Sequence, residues 1–236
     1  MAKKHTGRAI RGSQYHLQNL IEHEQAILNE AILNKCPSLK DWISGFPTWV
    51  SPLAQDNYEE YYDRQFLAKL NYLELDTKLK EFWPRRGPVW DALATITGKD
   101  DCKGIILLEA KSHLGEVINP NYSCKASSRS RKKIQSSIDK VKTALSASKE
   151  LDWLGDIYQH ANRISHLYFF RNIAKVHAWL VFLYFLGDIE QEGPQHRYEY
   201  QEVLANVRAK LGLPKKHLLS KYIIQVFMEV PDIAAK

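Results

Sequence analysis

Glu109 and Lys111 stand two residues apart at the end of an apolar run, Ile105, Ile106, Leu107 and Leu108. Four consecutive apolar residues, half of them β-branched, predict a buried strand. Alternate residues of a strand share a face, so the carboxylate and the ammonium project together with Ala110 behind them. Charges at the end of a buried strand are costly unless paired, solvated or bound to a metal. Upstream, Asp91 lies near the start of a second strand-like run that reaches Ile96, and the polar, Gly-containing stretch 98–103 reads as a hairpin connection. Such a hairpin brings Asp91 and Glu109 onto adjacent strands, where both can bind one hard cation.

At these three positions the chain resembles the PD-(D/E)XK nuclease superfamily, whose fold is restriction-endonuclease-like. The pattern there is an acidic residue on one strand and Glu/Asp-x-Lys on the next, matched by Asp91, Glu109 and Lys111. The proline of the pattern is displaced, since Pro88 precedes Asp91 by three residues. The resemblance implies an α/β fold with a mixed central sheet flanked by helices. It also implies Mg²⁺ as cofactor, with Mn²⁺ as a substitute, held by Asp91, Glu109 and the Ala110 carbonyl. Lys111 would orient or help deprotonate the attacking water and stabilise the developing charge. Many relatives place a further metal-ligating Glu on the helix before the meander, where Glu59 and Glu60 stand here. Arg64, one turn on, offers Glu60 a plain surface pair instead. Glu116, a short step after Lys111, is read as able to help or as a solvated loop residue. Some branches carry a Gln-x-x-x-Tyr helix motif near the site. Gln159 matches its first position, which implies a catalytic role, while Arg163 stands at the fourth. That guanidinium suits a phosphate, or else a structural pairing with Gln159.

The net charge is +6, and it is unevenly placed. Residues 125–149 hold eight cationic side chains against Asp139 alone, a net +7. A field of that kind suits a polyanion, whereas a solvated helix face would normally carry acidic counterparts. Arg129, Arg131, Lys132 and Lys133 open a predicted helix over 126–148, where free N–H groups also suit phosphate oxygens. They are expected to face solvent on the same side as Asp91. Arg85 and Arg86, bracketed by Pro84 and Gly87, form a stiff loop before the Asp91 strand and are further phosphate candidates.

These residues need a scaffold. Residues 1–56 read as a basic arm followed by a helical extension, with a helix over 13–34 and an apolar, proline-rich connector over 37–53. The resemblance covers about residues 57–190 of the remaining core, 57–236. Helices are predicted over 57–71 and 76–82, strands over 89–97 and 103–112, and helices over 126–148 and 152–173. A central strand over 177–187, a helix over 195–211 and a last strand over 222–230 follow. Only two meander strands are clear, and residues 80–83 are the candidate for a third.

Several function classes are excluded. There is no HExxH, no CxxC and no GxxxxGK[ST], and no apolar run reaches the ~18 residues that span a bilayer. Cys36, Cys102 and Cys124 read as reduced thiols of a cytoplasmic protein. The expected function is metal-dependent hydrolysis of nucleic acid, DNA before RNA, with no membrane partner and a homodimer left open. The alternatives are an inactive nuclease-like protein that binds nucleic acid or a protein, and an interaction protein with no nucleic-acid role.

Overall fold

The computed structural model describes residues 6–230. Five strands form one mixed sheet in chain order: β1 (Thr48–Ser51), β2 (Ala92–Thr97), β3 (Lys103–Lys111), β4 (His177–Leu186) and β5 (Ile223–Glu229). The first three pair antiparallel, and β4 and β5 continue parallel to β3. β3 and β4 are apolar along nearly their whole length because both faces are covered. On one face lie α1 (Gly12–His23), α2 (Gln25–Lys35) and α3 (Pro37–Lys40). On the other lie α4 (Asp63–Lys69), α5 (Asp76–Phe82), α6 (Ser128–Leu145), α7 (Tyr158–Tyr168) and α8 (Arg197–Leu211).

Strand alternation sorts the side chains between two cores. Ile106, Leu108 and Ala110 pack under the α1–α3 layer, while Ile105 and Leu107 pack under the other. By the same period Glu109 and Lys111 point toward α6 and α7, at the carboxyl end of β3. Gly104 lets β3 pass close to β4, since a Cβ there would stand 2.8 Å from the His177 carbonyl and from the Trp42 ring.

Several readings of the sequence change. The predicted helix over 13–34 is two helices, broken at Glu24 between α1 and α2. The third antiparallel strand is β1, whereas residues 80–83 end α5. β1 therefore comes from the stretch read as an extension, and residues 12–51 supply one helical layer and one sheet edge of the same body. The described part of the basic arm is docked: Gly7 N–H donates to Asn57 O at 2.7 Å, and the Arg8 guanidinium donates to Asn19, Glu22 and Tyr58. Residues 1–5 of that arm lie outside the described residues. The predicted 57–71 helix is only α4, and Glu60 precedes it on an extended segment bridged to β2's lead-in through Tyr61 and Trp90.

All three cysteines are free thiols. Among the described residues no helix is long and apolar enough to cross a membrane.

Candidate functional site

At the carboxyl end of β3 the two helical layers part and leave a cleft of about 1050 Å³. Its floor carries Glu60, Asp91, Glu109, Ala110 and Lys111. The hairpin aligns Ala92 with Leu108, so Asp91 sits opposite the end of β3. There its Oδ2 accepts the Ala110 N–H at 2.7 Å. That bond fixes the Asp91 carboxylate beside the peptide that separates Glu109 from Lys111. Asp91, Glu109, Ala110 and Lys111 are thus brought together as the spacing requires.

The charges are tightly coupled. Lys111 Nζ donates to Glu109 Oε1 at 2.6 Å, and Arg163 Nε donates to Glu109 Oε2 at 2.7 Å. All three side chains are buried. Burial alone would raise the Glu109 pKa, but Arg163 and Lys111 outweigh it and hold the carboxylate below its ordinary range. Burial would strip the Lys111 proton, yet Glu109, Asp91 and Glu116 keep the ammonium's pKa raised. Asp91 differs. It opens partly onto the cleft, but burial of its carboxylate, then Glu109 and Glu60, push its pKa well above the usual carboxylate value. The floor therefore holds a carboxylate that its neighbours resist ionising, which an added cation would relieve. Oxygen-only donors at Asp91, Glu109 and the Ala110 carbonyl fit a hard divalent ion. Among the described residues no group of three His, Cys, Asp or Glu side chains is already arranged to hold a metal ion. Glu60 is close enough to add to the charge that Asp91 feels.

Arg163 lines the cleft but is already engaged at its floor. It is 4% exposed, and besides Glu109 it donates through Nη2 to the Val89 carbonyl at 2.9 Å. Its place on α7, one turn from Gln159, makes it the residue that binds the two strands' ends together. Gln159 does line the cleft, with its Oε1 buried and unpartnered, and so does Asn162, whose Oδ1 is likewise unpartnered. Glu116 is more than a solvated loop residue: its Oε2 accepts the Ser112 N–H at 2.7 Å and its Oε1 accepts the Ser13 hydroxyl at 3.3 Å.

The rim is basic. Arg11, Arg85, Arg86 and Lys125 line it. Asp63 holds the Arg85–Arg86 loop, its two oxygens accepting the Arg86 N–H at 2.7 Å and the Gly87 N–H at 2.9 Å. Arg86 takes a left-handed φ of 64° there, so the turn is set by that clamp. The start of α6 enters the wall through Ser127 and Ser130. Arg129 and Lys133 line an adjoining groove with Arg85, and Lys133 Nζ also donates to the Lys80 carbonyl. The other two basic residues of the run are exposed as expected but make different contacts. Arg131 turns back to donate to the Cys124 carbonyl at 2.8 Å. Lys132 lines a separate hollow with Asp139 and Tyr168. The cause is helical period, which cannot point four nearly consecutive side chains one way.

Sequence reasoning overlooked Arg11, Ser13, Gln14, Asp63 and Asn162. Arg11 to Gln14 stand more than forty residues before the nearest floor carboxylate, and only the packing of α1 against the sheet brings them to the cleft. No model of a protein family, no curated protein and no solved structure matches this chain.

Proposed function

We propose that this chain is a metal-dependent nuclease with a restriction-endonuclease-like core of the PD-(D/E)XK type, hydrolysing phosphodiester bonds, in DNA before RNA. One observation carries the reading: Asp91, hydrogen-bonded to the Ala110 amide, stands beside Glu109 and Lys111 on the floor of a basic-rimmed cleft. The sheet supports it, since an antiparallel meander ends in a Glu-x-Lys strand with a parallel neighbour. Asp91, Glu109 and the Ala110 carbonyl would hold Mg²⁺ or Mn²⁺, with Glu60 facing the ion directly or through a water. The bound cation would acidify a water and neutralise phosphate charge. Lys111, kept protonated by its carboxylate neighbours, orients that water and stabilises the developing oxyanion. Arg163 fixes the Glu109 carboxylate, so the pair is preorganised. Arg85, Arg86, Lys125 and the α6 start hold phosphates on either side of the scissile one.

A second reading, an inactive nuclease-like binder, is favoured by one fact. Both Glu109 oxygens already accept hydrogen bonds from cations. Cleavage separates the two readings. Plasmid and single-stranded DNA are to be cut with Mg²⁺ or Mn²⁺ and left intact with chelator. Asp91→Ala and Glu109→Ala are expected to lose cleavage while keeping the fold by circular dichroism and still binding DNA. Wild-type activity in either variant would remove the metal assignment. Binding without any cutting by the native chain would favour the inert reading.

A further inference from the structure

The first turn of α1 belongs to the site, although nothing in its sequence resembles nuclease machinery. Gln14 lines the cleft, and its Nε2–H donates to Glu60 Oε1 across 46 positions of chain. Ser13, its neighbour, donates to Glu116 on the far side of the Glu-x-Lys strand end. The helix that carries them is anchored. Leu17, Leu20 and Ile21 are buried in the core beneath the sheet, and His16 Nε2 lies 3.0 Å from Asp188 Oδ2 just after β4. A donor on such a helix has little freedom to follow its acceptor, so it sets the acceptor's position.

We propose that Gln14 is a positioning residue of the metal centre, holding the Glu60 carboxylate toward the ion that Asp91 and Glu109 bind. The inference rests on the nuclease reading of those two carboxylates. The chemistry of residue 14 suits the role. An amide donates a hydrogen bond without adding charge, whereas a lysine or arginine there would compete with the divalent ion for Glu60. Glu60 is 4% exposed and lies on an extended segment ahead of α4, with no helix of its own to orient it. Outer partners that orient a ligating carboxylate commonly contribute to metal affinity as strongly as this requires.

The test measures Mn²⁺ binding to the full chain by calorimetry and electron paramagnetic resonance, without DNA. Gln14→Leu is expected to weaken Mn²⁺ binding about tenfold or more, the usual effect of losing an outer-shell partner. At saturating Mn²⁺ its KM for DNA should match wild type. Gln14→Asn keeps the amide but falls one methylene short, and should repeat the loss if Gln14→Leu is too unstable to purify. In a Glu60→Gln background Gln14→Leu should have no further effect. Unchanged Mn²⁺ affinity in Gln14→Leu or Gln14→Asn, or an equal loss in the Glu60→Gln background, overturns the proposal while the nuclease reading stands. A native chain that takes no Mn²⁺, or a Glu109→Ala variant that binds it as well as wild type, overturns the nuclease reading itself.

Discussion

At the scale of single residues, Asp91 and Glu109 show how one buried floor makes two different carboxylates. Glu109 is matched by two cations within 2.7 Å and is held ionised. Asp91 has one backbone amide and two acidic neighbours, so its ionised form is resisted. In the presence of chelator a neutral isostere should therefore suit this floor better than the native residue. Asp91→Asn keeps an oxygen for the Ala110 N–H and removes the repulsion. It is expected to raise stability at pH 7 by about 0.5 to 2 kcal/mol, the usual gain on relieving a strained functional group, while cleavage is lost. Urea unfolding with chelator present checks the first half. A clear loss of stability would mean that Asp91 is a structural ion-pair member and not a metal ligand. The types and two-residue spacing at Glu109 and Lys111 were readable in sequence, because strand period alone places them together. The role of Arg163 was not, because one turn of helix can aim a guanidinium at phosphate or at Glu109, and only the packing of α7 against β3 decides.

Elements explain which basic residues reach the cleft. α6 carries its apolar stripe, Ile134, Ile138, Val141 and Leu145, against the sheet, and that stripe was legible from spacing. It fixes the helix's rotation, and the rotation divides the positive cluster. Arg129 and Lys133 are four apart and face the groove beside Arg85, while Lys132 and Lys140 line another hollow. Salt dependence of DNA binding should reflect that division. Arg129→Gln with Lys133→Gln is expected to make the log–log salt slope shallower by roughly 0.7 to 0.9 for each phosphate contact removed. Lys132→Gln with Lys140→Gln, the same change in net charge, should leave the slope near wild type. Fluorescence titrations at several salt concentrations decide it. Equal effects of the two pairs would mean a diffuse positive field and no defined phosphate track. The missing meander strand was harder to see. β1 has four residues beside a proline-rich connector, and α4 and α5 separate it in sequence from its partner β2. Short strands with distant partners leave little local signal.

At the scale of the whole molecule, the apolar runs of β3 and β4, the α6 stripe and the turn residues between them were enough to expect an α/β sheet with helices on it. The N-terminal layer was not recognisable as part of the site, since α1 meets the floor only through tertiary packing. The same packing buries titratable groups that decide how the molecule responds to acid. His160 stacks on Phe182 and has no partner at either ring nitrogen, and His166 packs among Trp83 and Trp90. Burial lowers both pKa values to about 3, from 6.5. The unfolded chain therefore binds more protons at these residues between about pH 3 and 6.5. Their stabilising effect is complete above 6.5 and is lost as pH falls toward 3. Each histidine contributes a slope of up to about 1.4 kcal/mol per pH unit in that window. Asp91 opposes them, because its raised folded pKa makes ionisation above 3.8 destabilising, but it is one group against two. Glu109, with its lowered pKa, acts in the same direction as the histidines as pH falls through its range. Between about pH 4 and 6 stability should thus rise with pH. Asp91→Asn should steepen the rise, and His160→Phe, which keeps the stacked ring and removes the proton site, should make it shallower. Urea midpoints measured across that pH range for the three proteins test the balance. A flat or falling profile in the native chain would show that these imidazoles do not remain neutral in the fold.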